Sequence, residues 1–203
     1  MFSRGRRTVG VVTNPRPALK EWSAAIQALL AGKQTVLLRK GGIGEKRFEV
    51  PMSDPGAEFL LFPTVAHSHL DRVRPQYRDV VAAAAGDSTE SRVVVRAAAK
   101  IVATQPVNRV DGLAEIEDLH IWTTESVRTD RLDFRPKHPL MVLVVQIAPL
   151  NEPMQITRTP AHAGCTSWLP ASFGAPADIS VGDPVHDADT LAGVSARVRE
   201  AVG

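Results

Sequence analysis

The chain has 203 residues, of which 44% are hydrophobic and 23% charged, and its formal net charge is +2. These values are typical of one globular domain with a sizeable core, and the small net charge excludes a global field attracting nucleic acid or membranes. The lone cysteine, Cys165, excludes an internal disulfide framework, and the longest apolar run, Leu140–Ile147, is too short to cross a bilayer. We therefore predict a soluble, cytoplasmic protein that does not bind membranes.

The first part of the chain predicts a basic leader, a helix and a strand. Met1–Pro17 holds four arginines and no acid, which predicts a flexible leader, with an edge strand at Thr8–Thr13 as the alternative. Ala18–Ala31 is predicted as one amphipathic helix, because apolar residues recur at helical spacing and Gly32 follows as a stop residue. Thr35–Leu38 is apolar and β-prone, which predicts a strand.

The rest of the chain predicts further strands with short helices between them. Strands are predicted at Phe59–Phe62, Arg92–Thr104, Leu140–Ile147 and Met154–Thr157. Helices are predicted at Asp79–Ala85, after Asp111 and from Leu191 to Ala201, and Leu70–Gln76 fits either a turn of helix or a loop. Because 171–184 is rich in Pro and Gly, we expect a leader at 1–17, one globular domain at 18–170, and a linker with a short C-terminal helix at 171–203.

The order of these elements indicates the fold class. Helices and strands do not alternate regularly, which argues against a doubly wound parallel sheet. Strands that lie far apart in sequence, with helices between them, are typical of an α+β fold. We predict a small, mostly antiparallel β-barrel or curved sheet with flanking helices.

Three separated blocks resemble the DUF1802 family, a group of uncharacterised proteins. They are ALKEWSAAIQALLAGKQTVLLRKGGI from Ala18, EFLLFPTVAH from Glu58, and GCTSW from Gly164. The resemblance implies little chemistry. Some members of the family are associated with a restriction-type nuclease domain, which points towards nucleic acid.

A weaker resemblance is to ASCH domains, small barrels similar to the PUA RNA-binding fold. Their G-x-K-x-x-E-x-R pattern is matched here by Gly32 and Arg39, whereas Gln34 and Leu37 replace the lysine and the acid. This resemblance implies a PUA-like scaffold without the amidohydrolase-type chemistry of some ASCH enzymes.

A basic, glycine-rich loop is the main candidate binding site. Glycines expose backbone N–H groups and cations supply charge, and both suit phosphate. The predicted ligand-binding residues are Lys33, Arg39, Lys40, Gly41, Gly42, Lys46 and Arg47, with His67 and Trp122 lining the adjoining cleft. We predict nucleic-acid or nucleotide binding, with RNA or DNA as the partner and without a cofactor; the bland alternative is a solvated hairpin.

Two other functions stay open. A hydrolase would use His67, His120 or Cys165 as its reactive groups, whereas a protein-interaction module would dock an acidic protein on the basic loop. The run from His67 to Asp71 resembles a metal-binding motif of metallo-β-lactamase-like hydrolases, but Arg72 replaces its closing histidine, so no metal site is predicted. Trp122 suits either stacking on a base or packing in the core.

Overall fold

A six-stranded sheet organises the fold, in the strand order β2-β5-β4-β3-β1-β6. The computed structural model describes residues 16–40, 49, 56–65, 69–164, 166–176 and 178–203, without the side chain of His69. The strands are β1 (Ala18–Trp22), β2 (Val36–Lys40), β3 (Phe59–Thr64), β4 (Arg92–Pro106), β5 (Leu140–Thr157) and β6 (Trp168–Leu169). Only β1 and β3 pair in parallel within this sheet; the other pairings are antiparallel.

Short helices fill the connections between the strands. The α-helices are α1 (Ser23–Leu30), α2 (His69–Arg72), α3 (Arg78–Ala83), α4 (Thr124–Val127) and α5 (Ala188–Val202). There are also 3₁₀ helices at Pro75–Tyr77, Asp111–Leu119 and Pro160–His162, and a π-helical segment at Arg128–Asp133. No helix in the part of the chain described here is both long enough and apolar enough to cross a membrane. The predicted α+β class with a mostly antiparallel, curved sheet is confirmed.

The sheet curls so far that its two ends approach each other. β2 is one edge strand, and β1 lies beside the opposite edge strand, β6. Nevertheless Arg39 of β2 donates a hydrogen bond to Glu21 of β1 at 3.0 Å. Irregularities in the β4–β5 pairing, between Val95 and Ala97 and again between Ile101 and Ala103, are of the kind that bend and twist strands. We call the place where β1 and β2 approach the seam.

The predicted helix Ala18–Ala31 is wrong in its first five residues. Ala18 to Trp22 form β1, which pairs in parallel with β3 from Ala18 opposite Leu60 to Trp22 opposite Thr64. Both faces of β1 are buried, so its apolar residues do not alternate with polar ones and the strand period is hidden. Helix α1 begins only at Ser23. Gly32, with φ of 68°, follows its end, as predicted.

Most other predicted elements are confirmed, with longer strands. The separate strands predicted at Leu140–Ile147 and Met154–Thr157 are one continuous strand, β5, because its partner β4 extends far enough to pair with both parts. The helix predicted after Asp111 is a 3₁₀ helix with non-helical dihedrals at Ile116.

The core has three apolar clusters. One fills the inside of the curl and includes Leu19, Leu37 and Leu143. A second lies between the sheet, α1, the 3₁₀ helix Asp111–Leu119 and α5, and a third lies beneath 169–181. The predicted linker and C-terminal helix therefore pack on the same body as 18–170, since α5 buries Leu191 and Val198. The predicted leader lies outside the described residues up to position 15.

Candidate functional site

The described residues on either side of the predicted glycine segment lie at the two edges of the sheet. Arg39 and Lys40 are the last residues of β2, at one edge of the sheet. After the gap, the carbonyl of Glu49 accepts a hydrogen bond of 2.9 Å from the indole Nε1 of Trp168 in β6, the other edge strand. The chain therefore leaves one sheet edge and returns to the other. The predicted site residues Gly41, Gly42, Lys46, Arg47 and His67 lie outside the described residues.

Arg39 is held by the backbone and side chain of β1. Its Nη1 donates to the carbonyl of Lys20 at 3.1 Å and to the Glu21 carboxylate at 3.0 Å. The Glu21 side chain is only 4% exposed and also accepts the backbone N–H of Trp22 at 2.8 Å. A buried carboxylate needs such partners, because an isolated buried charge is very costly. The guanidinium is therefore fixed in position before any ligand arrives.

Lys40 caps the end of the π-helical segment. Its Nζ donates to the carbonyls of Arg131, Leu132 and Phe134. Partial burial and the nearby Arg131 lower the pKa of the Lys40 ammonium, and Asp133 opposes that change. The lysine thus joins β2 to Arg128–Asp133 and brings its positive charge to the seam.

Two further arginines meet at the same place. Arg72 donates from Nε to Asp130 at 2.6 Å. Both Arg72 and Arg131 lie over the ring of Trp22, at 5.7 and 5.1 Å from its centroid. Burial lowers the pKa of Arg131; Arg39 and Arg72 act in the same direction, whereas Glu21 and Asp130 act against it. The charges of these side chains therefore interact electrostatically.

We call this group the seam cluster; it consists of Glu21, Arg39, Lys40, Arg72, Asp130 and Arg131. Among the described residues, four cations face these two carboxylates, and the nearby Asp133 also pairs with Arg128 at 3.6 Å, so positive charge is in excess in a half-buried place. Such a place attracts anions more strongly than an exposed patch of equal charge, since the effective dielectric constant is lower there. Sequence reasoning found Arg39 and Lys40 but missed the other four.

The remaining predicted residues lie elsewhere. Lys33 precedes β2, at the opposite end of the strand from Lys40, and its ammonium pairs with Asp79 at 2.5 Å. Trp122 is 5% exposed and packs edge-on against Trp22, with the ring centroids 4.9 Å apart. The small space that both tryptophans border together with Asp130 and Arg131 has a volume of only about 10 Å³, far too small for a base. Trp122 therefore lies beside Asp130 and Arg131 of the seam cluster, in the packing arrangement that was the alternative to stacking.

The side chains of His162 and His120, the latter named for a hydrolase, form hydrogen bonds with the backbone. His162 accepts the N–H of Thr159 on Nδ1 at 3.1 Å, so its Nε2 is the donor to the carbonyl of Phe173, 2.9 Å away. His120 accepts the N–H of Trp122 on Nδ1 at 3.2 Å. Cys165 lies outside the described residues. Among those that are described, no cluster of three His, Cys, Asp or Glu side chains is placed to hold a metal ion.

A separate cavity of about 440 Å³ lies between the 3₁₀ helix Asp111–Leu119 and the segment from Thr124 to Leu132. Apolar side chains such as Leu113 and Val127 form much of its wall, and His120 is one of its polar residues. Arg131 and Asp130 of the seam cluster belong to the same π-helical segment as Leu132. The segment therefore contributes both to the cavity and to the seam cluster.

The curled, mostly antiparallel sheet with an arginine-rich seam defines an α+β domain with a candidate anion site. The model of the family described as "Domain of unknown function (DUF1802)" matches residues 18–197, so the chain belongs to this family. The predicted membership is confirmed. No match was found among curated proteins.

Two solved structures resemble the fold, and both are mutant forms of ZmASCH from Zymomonas mobilis. A serine-to-alanine mutant is 13% identical, with a TM-score of 0.38, covering 92% of this chain and 99% of that one. A tyrosine-to-phenylalanine mutant is 14% identical, with a TM-score of 0.37, covering 70% and 76% of the two chains. At these TM-scores the similarity is partial and implies neither a shared activity nor a shared ligand.

Proposed function

We propose that this protein binds nucleic acid through its phosphates, at the seam cluster. The observation that carries the proposal is the excess of cations among the described residues there, where Arg39, Lys40, Arg72 and Arg131 outnumber the carboxylates of Glu21, Asp130 and the nearby Asp133. In the sequence, the basic glycine segment that includes Gly41, Gly42, Lys46 and Arg47 follows Lys40 directly. We expect those residues to extend the site, as the sequence predicts.

The geometry favours phosphate over a single small anion. Arg39 and Lys40 stand at the end of an edge strand, and Arg72 and Arg131 stand beside Trp22 at the end of β1. Cations on a strand, an α-helix and the π-helical segment suit a ligand with several charges in a row. Contacts of this kind give affinity without reading sequence, and they weaken steeply with salt because counterions are released.

A series of charge variants at one ion pair tests the proposal. Glu21→Gln makes the seam cluster more positive by one charge, Arg39→Gln makes it less positive by one, and the double variant restores the original net charge. Glutamine at position 21 can still accept the N–H of Trp22. Each variant is compared with the unmodified chain by fluorescence anisotropy, using a labelled 12-nucleotide single-stranded RNA, the same sequence as single-stranded DNA, and duplex DNA, at several salt concentrations.

The expected order of affinity at low salt is Glu21→Gln above the unmodified chain and Arg39→Gln below it. One charge at roughly 8 Å in a half-buried site is worth on the order of 1–2 kcal/mol, which is about five- to thirtyfold in Kd. Loss of one phosphate contact also lowers the salt slope for a single strand by about 0.7. If the double variant is as weak as Arg39→Gln, the guanidinium contacts the nucleic acid directly.

Arg197→Gln is the matched control. Arg197 lies on α5, away from the seam, and forms an exposed ion pair with Asp118, so the variant removes the same charge as Arg39→Gln. Its affinity is expected to stay within about twofold of the original. Equal affinities in all variants would overturn the proposal. Binding of polyglutamate with no affinity for any nucleic acid would instead favour the protein-interaction alternative.

A further inference from the structure

The cavity beside the 3₁₀ helix has the size and lining of a small-molecule site. Its volume of about 440 Å³ lies within the range of sites for small organic ligands. Much of its wall is apolar, formed by side chains such as Leu113, Val127 and Leu132. Val110 also lines the cavity and is 50% exposed, so the cavity opens to the surface there. Apolar walls with a few polar groups are what such sites commonly present.

His120 is a buried residue of the cavity lining whose ring has a hydrogen-bond donor without a partner among the described residues. His120 is 2% exposed and lines the cavity. Its Nδ1 accepts the backbone N–H of Trp122 at 3.2 Å, so in the neutral ring the proton is on Nε2. Burial, helped by the positive charge of Arg74, lowers the pKa of His120 to about 4, with Asp118 acting in the opposite direction. The ring is therefore neutral near pH 7, and Nε2–H is a donor.

Within the described residues, no hydrogen bond reaches the Nε2 of His120. The neighbouring structure fixes the residue, because Arg74 donates to its carbonyl and to that of Glu117. The hydrogen bond on Nδ1 holds the ring, so Nε2–H is available to a molecule that enters the cavity.

We propose that this cavity binds a small neutral molecule with an apolar body and a carbonyl or ring-nitrogen acceptor, which takes the Nε2–H of His120. The apolar body would pack against Leu113, Val127 and Leu132. A ligand with a carboxylate is not favoured, because the lining also includes the carboxylates of Asp111 and Glu117, and the one cation among the described lining residues, Arg128, is already paired with Glu125 at 3.0 Å. The site is distinct from the seam cluster, although the π-helical segment borders both.

A matched pair of probes tests the proposal on the full chain. Acetophenone has an aromatic ring and a carbonyl acceptor, whereas ethylbenzene has nearly the same shape without the acceptor. Each is titrated at pH 7 against ¹⁵N-labelled protein, and the amide resonances of Thr124 and Val127 and the Nε2–H resonance of His120 are followed. We expect saturable shifts with both probes and about tenfold tighter binding of acetophenone, together with a shift of the Nε2–H resonance that ethylbenzene does not cause.

Variants locate the site without removing the histidine. Ala114 lines the cavity and is exposed, so Ala114→Trp fills the space from the surface and is expected to abolish both titrations. Ala196 is an exposed alanine on α5 outside the cavity lining, so Ala196→Trp is the control and should change neither titration. His120→Phe should bind the two probes equally. If that variant does not fold, the comparison of the two probes on the unmodified chain still decides.

Three results would overturn the proposal. They are an absence of saturable shifts up to the solubility limit, equal affinity of acetophenone and ethylbenzene for the unmodified chain, and unchanged binding in Ala114→Trp. None of these measurements involves nucleic acid. Failure here would therefore leave the seam proposal unaffected, and failure of nucleic-acid binding would leave this one unaffected.

Discussion

The contact between Gly112 and helix α5 gives the sharpest prediction about stability. Gly112 lies in the first turn of the 3₁₀ helix that walls the cavity, and a Cβ added there would lie 1.8 Å from the carbonyl oxygen of Ala201. Backbone hydrogen bonds oppose a movement of the last turn of α5 away from Gly112. The carbonyl of Val202 accepts the backbone N–H groups of Asn108 and Arg109, at 2.8 and 3.2 Å. We therefore predict that Gly112→Ala is strongly destabilising.

The size of the effect follows from how far α5 has to move. A carbon and a carbonyl oxygen need roughly 3.2 Å, so the two segments would separate by more than about 1 Å. That movement strains two backbone hydrogen bonds, each worth about 1 kcal/mol, and loosens the packing of Val198 and its buried neighbours on α5. We expect a loss of about 2–4 kcal/mol, which lowers Tm by roughly 4–16 °C in a chain of this length.

Urea unfolding followed by circular dichroism measures this loss, with Gly193→Ala as the matched control. Gly193 lies inside α5 with no atom within 4 Å of an added Cβ. The same substitution there should stabilise the protein by about 0.5–1 kcal/mol, because alanine favours a helix. The reasoning is refuted if Gly112→Ala unfolds within about 0.5 kcal/mol of the original chain with its amide spectrum unchanged.

Two further predictions concern buried polar groups. The pKa of His120 is lowered to about 4, so the unfolded chain, with an ordinary histidine pKa of about 6.5, binds the proton first as pH falls. The stability that the neutral His120 contributes is therefore present above about pH 6.5. Urea unfolding should show the free energy of unfolding fall by about 2 kcal/mol between about pH 7 and pH 5. The His120→Gln variant should not show this fall. Asp87 is 2% exposed and accepts bonds from Gln27 at 2.7 Å and Arg96 at 2.8 Å. Asp87→Ala should therefore cost about 3 kcal/mol, whereas the exposed Glu90→Ala should stay within about 0.5 kcal/mol; a similar effect of both would contradict the assignment.

Secondary structure could be predicted from the sequence where the local residue types alone favour one kind of element. Leu140–Ile147 is predicted as a strand because it is rich in β-branched residues. The sequence lacks only the register of its pairing with β4. Ala18–Trp22 failed for the opposite reason. Its two buried faces removed the alternation that marks a strand, and the parallel pairing with β3 that makes it one involves residues about forty positions away.

The candidate site was predictable only in part. Arg39 and Lys40 stood out because they end a predicted strand in front of glycines. Their partners did not, since Glu21 looked like part of a helix, and Arg131 lies in a charged run that reads as a solvated surface. Only the curl of the sheet and the π-helical segment bring these charges together. No local pattern encodes that meeting.

The comparison of Glu21→Gln with Arg39→Gln is the most direct test of the seam cluster as a nucleic-acid site. Both variants change one member of a single ion pair, whose atoms are 3.0 Å apart, and they shift the local charge in opposite directions. For labelled single-stranded RNA at low salt, the account predicts a clearly lower Kd for Glu21→Gln and a difference between the two that shrinks as salt is added. Equal dissociation constants, or no binding by either variant or by the original chain, would contradict it.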